Sequence, residues 1–118
     1  MNKLLTSITL AALLAVMPTQ LRAGEKAQLS QSELGKLFPG TFTAVVNGAV
    51  TLQIMAKGNG TLVGQMTGQR DNGHWSVRSG KLCIVWTNWL NGKTSCSSVK
   101  SADGWYHGNG VKFRKTSA

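Results

Sequence analysis

From residue 40 onward, apolar side chains recur at every second position in short runs, and most of these runs stop at a glycine-containing turn. A period of two is the signature of strands with one buried face and excludes an amphipathic helix over the same residues. Phe42, Ala44 and Val46 share one face, and Asn47-Gly48 then supplies a pair that tolerates positive φ at both positions, a strong hairpin signal. Val50, Leu52 and Ile54 continue the pattern, and residues 57–60 turn the chain. Leu62, Gly64 and Met66 alternate with Thr61, Val63 and Gln65, and residues 67–73 read as a polar loop. Trp75 and Val77 lie on one side of the next run, and Ser79-Gly80 is a tight turn. Leu82, Ile84 and Trp86 follow, then a turn over 88–92 and a return run over 93–99. A turn over 101–104 leads to the last two runs, 105–107 and 111–115, with Val111 and Phe113 on one face.

This pattern predicts an all-β fold, a small antiparallel up-and-down meander of about eight strands that closes into a barrel, because closure removes exposed edges. No helical stretch inside it is long enough for the crossover that a parallel sheet needs. The glycine count of 14 fits such a fold, with Gly64 placed to let a strand bend. A short helix is predicted near residues 30–38. Ser30 and Glu33 have capping-box spacing, Leu29 and Leu34 fit the accompanying staple, and Leu34, Leu37 and Phe38 share a face. Pro39-Gly40 ends the helix.

Ahead of this domain, Lys3 precedes an apolar stretch over 4–16, Pro18 breaks it, and Ala23 offers a small residue for cleavage. The pattern is that of a secretory signal peptide over residues 1–23, too short in its apolar part to span a membrane. The mature chain, residues 24–118, is expected to be one domain with a flexible start over 24–28, periplasmic or secreted. Of 13 basic residues the leader holds Lys3 and Arg22 and no acid, so 11 remain against 4 acids, a net charge of +7. These charges are scattered rather than run together, so no nucleic-acid tail is indicated. They suit a solvated surface or attraction to an anionic partner.

Residues 81–96 hold both cysteines and two tryptophans. Cys83 and Cys96 fall opposite or diagonal to one another across the predicted hairpin, and an exported domain with an even cysteine count is expected to oxidise them to a disulfide. Trp75 and Trp86 fall on the core face, whereas Trp89 sits in a turn. Trp105 and Tyr106 are adjacent, so one points inward and the other outward. Trp89, Trp105 and Tyr106, with Arg78, Lys93 and Lys100, are therefore candidate binding residues, since aromatic faces stack on sugars and partner side chains.

Catalytic chemistry is not indicated, and no cofactor is expected. Asp71, His74 and Ser76 match a Ser/His/Asp set in composition only, without a nucleophile elbow, and Asp71 and Asp103 have ordinary turn contexts. His74 and His107 are not at metal-ligand spacing. The stretch 73–96, with Gly73, Trp75, Ser76, Gly80 to Cys83, Trp86, Gly92, Lys93 and Cys96, is similar to a family of small exported β-barrel proteins of unknown function from Alphaproteobacteria. That resemblance implies a small barrel in or outside the envelope and brings no catalytic residues. More loosely, the architecture looks like secreted β-barrel inhibitors of proteases or lysozyme. The functional expectation is a non-enzymatic binding module for an anionic envelope polysaccharide or a protein partner. The alternatives are an inhibitor or effector acting on another protein, and a carrier of a small apolar ligand. For the carrier, the large inward residues Phe42, Trp75, Trp86 and Phe113 predict an interior filled by side chains.

Overall fold

The computed structural model describes residues 27–117. The expected leader, residues 1–23, lies outside them. The described strands form one open antiparallel sheet of ten, not eight. In chain order they are β1 (Ala27–Gln28), β2 (Gly40–Val46), β3 (Val50–Ala56), β4 (Thr61–Met66), β5 (Gln69–Arg78), β6 (Lys81–Trp86), β7 (Thr94–Ser97), β8 (Lys100–Ala102), β9 (Trp105–Gly108) and β10 (Val111–Ser117). Neighbours run β1-β8-β9-β10-β2-β3-β4-β5-β6-β7.

Three departures from the sequence reading account for the changed count and bounds. Ala27 and Gln28, expected to be flexible, pair with Ser101 and Lys100. The stretch 67–73, expected as a loop, turns only at Thr67-Gly68, and Gln69 onward is strand paired with β4. The return run over 93–99 is divided. Its first part, β7, bonds β6 through Leu82↔Ser97 to Val85↔Thr94. After Ser98 and Val99 the chain continues as β8, which bonds β9, so Ser101 and Ala102 are strand rather than turn. Only two residues separate strands at opposite sides of the ladder, so the sheet must curl strongly.

The α-helix among the described residues, α1 (Gln31–Leu37), starts as expected. Ser30 Oγ accepts from the Glu33 N–H at 3.1 Å, and Glu33 Oε1 accepts from the Ser30 N–H at 2.8 Å. These bonds also hold the Glu33 carboxyl below its ordinary pKa. Leu34 is fully buried, with Leu37 and Phe38 nearly so. Three long-range bonds fix where the helix sits. Gln31 donates to the Val77 carbonyl and accepts from the Gly80 N–H, and Lys115 Nζ donates to the Leu37 carbonyl. Phe38 then enters an aromatic cluster with Phe42 at 4.7 Å and Phe113 at 6.1 Å between ring centres. Such contacts add to the area these rings bury. The helix thus covers the end of the curved sheet that carries the β5–β6 turn.

Cys83 and Cys96 are direct partners in the β6–β7 ladder, and the disulfide joins them across 13 residues. It ties β7 to the sheet beside the point where the chain changes partners. Closing a loop of this length contributes about 3 kcal/mol in the chain-entropy description. Treatment of the oxidised protein with reductant is therefore expected to lower its urea midpoint by an amount corresponding to about 3 kcal/mol. Denaturation curves with and without dithiothreitol check this.

Candidate functional site

The six candidate binding residues do not converge. Trp89 and Lys93 belong to the β6–β7 connection, at the end of the sheet away from α1, whereas Arg78 flanks the β5–β6 turn at the α1 end. Tyr106 points inward, its ring 5.6 Å from Phe113, and lines a depression with Leu29 and Leu37. Trp105 points outward, with Lys112 Nζ and the Arg114 guanidinium each 4.6 Å from its ring centre. Its indole is thus engaged by the protein's own cations. Lys100 stands apart from the aromatics, beside the change of partner between β7 and β8.

Trp89 is held by a residue that the sequence reading placed in a turn. Asp71 lies on the inner face of β5 and is 4% exposed. Its Oδ2 accepts from the backbone N–H groups of Asn88 and Trp89 at 2.9 and 2.8 Å, and its Oδ1 from Asn88 Nδ2 at 3.1 Å. Burial pushes this carboxyl up, the Trp89 and Asn88 donors push it down, and the donors prevail, leaving the pKa lowered. The clamp turns Trp89 back onto Trp86, with ring centres 4.9 Å apart. A 3₁₀ segment over Trp89–Gly92 follows, in which Leu90 and Asn91 both have φ of 56° and Leu90 is 65% exposed. Gly64 on β4 makes the room. A Cβ there would lie 2.6 Å from Trp89 Cζ3 and 2.7 Å from Trp86 Cη2. Its role is therefore clearance for two indoles, where the sequence reading placed a bend.

His74 is exposed on the opposite face of β5 from Asp71, so these two residues with Ser76 do not form a relay. Among the described residues no three His, Cys, Asp or Glu side chains group as a metal site would require. No family model, curated protein or solved structure matches the chain.

The feature that stands out is a gap in the wall. β7 bonds β6 on one side only, and across from its free edge lie Gly108 and Asn109 at the start of the β9–β10 turn. Behind the gap is an internal cleft of about 90 Å³. Phe42, Ala44, Leu62, Trp75 and Phe113 line it. Trp86 is not among them, being turned toward Trp89. The lips of the gap are polar or small: Ser95 and Ser97 on one side, Gly108 and Asn109 on the other. Outside the same gap is a second depression that shares Ser97, Gly108 and Asn109 with the cleft and adds Lys81, Lys100 and His107. Of these residues only Lys100 is a binding candidate on the sequence. The others were hidden because no local pattern announces that 98–99 divides a strand.

Two outcomes follow from the Trp86–Trp89 end. Gly64→Val is expected to destabilise the fold by about 1–3 kcal/mol, the usual range for overpacking, with a changed near-ultraviolet circular dichroism spectrum as the indoles part. Because the native Asp71 pKa is depressed, its stabilisation is complete above the ordinary aspartate value of about 3.9 and disappears as pH falls through the lower native value. Asp71→Asn is therefore expected to lower the melting temperature at neutral pH and to flatten its decline between about pH 5 and about pH 3, as thermal melts across that window would record.

Proposed function

We propose that this chain is an exported, non-enzymatic binding module that takes a small ligand into its curved sheet through the gap between β7 and the β9–β10 turn. The observation that carries this reading is the apolar cleft of about 90 Å³ behind that gap. A mostly apolar concave space with a few polar groups is the general make-up of a small-molecule site, here on a smaller scale than the usual roughly 300–1,000 Å³. In this reading β7 and β8 act as two halves of one bent stave, and the sheet works as a small barrel that is incompletely laced along that stave. The leader pattern and the Cys83–Cys96 disulfide support a periplasmic or secreted location. The likeness to small exported alphaproteobacterial barrels points the same way.

A second reading keeps the ligand outside. Lys112 and Arg114 stand over Trp105 on the outer face, and the net positive charge of the mature chain would favour an anionic glycan or an acidic protein surface. The two readings separate by experiment. Mild native mass spectrometry of the exported protein is expected to show a retained small molecule, or saturable one-to-one uptake of the neutral apolar dye N-phenyl-1-naphthylamine. Failure of the folded, oxidised protein to do either would rule out an internal site and leave the outer face as the ligand surface.

A further inference from the structure

We propose that the ligand is a single-chain amphiphile with an anionic head, its tail in the cleft and its head at Lys81 and Lys100; this rests on the internal site just described. The argument begins with the two surfaces meeting at one gap. The cleft is bounded by Phe38, Phe42, Ile54, Leu62 and Phe113, which offer a tail nothing but apolar contact. The depression outside it carries two lysines and a histidine and, among the described residues, no carboxylate. Ser97, Gly108 and Asn109 belong to both, so a molecule crossing this threshold passes from hydrocarbon surroundings to a cationic, water-exposed one within a few bonds.

Size and charge then select the ligand. The cleft of about 90 Å³ is small beside an ordinary small-molecule site of roughly 300–1,000 Å³, so it admits only the slim end of an aliphatic chain, with the remainder of the tail lying in the gap. A wholly apolar molecule would leave the lysine side unused, and a cationic amphiphile would be repelled there. Among the described residues no acid lines the depression, Asp103 lying in the turn between β8 and β9. Glu33 is bound to Ser30, and Asp71 to Asn88 and Trp89.

The lips come closest at a glycine, where a tail passes only if the Ser97 side chain turns aside. Gly108 points inward on β9, and a Cβ there would meet Ser97 Oγ at 3.0 Å and Val111 Cγ1 at 3.4 Å. A larger side chain would close the passage from one lip while leaving both lysines in place. The opposite lip offers an independent block, because Ser95 is exposed and also faces the cleft.

The test uses the oxidised mature protein and three probes that share a tail: decanoate, decanol and decyltrimethylammonium, each below its aggregation concentration. Displacement of N-phenyl-1-naphthylamine is expected to rank them decanoate, decanol, then the cation. Lys81→Ala with Lys100→Ala is expected to reduce decanoate affinity roughly three- to tenfold while leaving decanol unchanged, the scale of two exposed charge contacts. Added salt is expected to weaken decanoate alone. Gly108→Val or, if that variant folds poorly, Ser95→Trp is expected to lower binding of decanoate and decanol together. Equal affinity for decanoate and decanol, or indifference of decanoate to loss of both lysines, would overturn the assignment of the head while leaving the internal site standing. Lack of binding by all three probes would remove both. Vesicles distinguish the source of the head. Decanoate-competable capture by phosphatidylglycerol but not phosphatidylcholine vesicles supports the same site reading a lipid, and capture that decanoate does not touch overturns the proposal in favour of a membrane-surface role for the lysines.

Discussion

Between Thr94 and Ala102 the backbone must satisfy neighbours on two different sides. Its first four residues bond β6, its last three bond β9, and Ser98 and Val99 carry it from one obligation to the other. Val99 pins the change by burying its side chain completely and accepting at its carbonyl from the Leu29 N–H at 2.8 Å. The rest of the wall is a regular meander. Were β7 to continue along β9, the wall would be laced throughout and the cleft would have no side opening. The change of partner leaves an unpaired strand edge, a hazard for edge-to-edge association. That edge is four residues long, polar at Thr94, Ser95 and Ser97, and stapled to β6 by Cys96.

The two ends of the sheet are managed by different physics. At the α1 end the work is done by hydrocarbon and rings, with Leu34, Leu37 and Phe38 pressed onto Phe42 and Phe113. At the other end a buried carboxylate does it, satisfying two backbone N–H groups and one amide of the connection that would otherwise wander. A buried charge is tolerable there because each oxygen has a donor. The same clamp explains how a tryptophan in a turn becomes half-buried without a strand to hold it.

Much of the wall was legible because local signals agreed. The capping box of Ser30 and Glu33, the period of two through β2, β3, β4 and β6, and the turns at Asn47-Gly48, Ser79-Gly80 and Asp103-Gly104 all mean in the structure what they mean in the sequence. What escaped were residues whose role depends on a partner far along the chain. Asp71 looks like a turn residue until Asn88 and Trp89 are beside it. Gly64 looks like a bend until two indoles lie over it. Lys81 belongs to the Gly80–Cys83 run, Ser97 and Gly108 carry no pattern of their own, and only the curl of the sheet brings the three to one threshold.

The arrangement of the four indoles has a practical side. Trp75 borders the cleft and donates its Nε1–H to the Lys57 carbonyl at 2.8 Å, Trp86 and Trp89 are stacked away at the far end, and Trp105 lies outside beneath two cations. Emission from the first responds to what occupies the interior, while the last reports ionic conditions at the outer surface. The molecule thus carries one indole facing its inside and one on its outside, whose emission single-tryptophan variants separate.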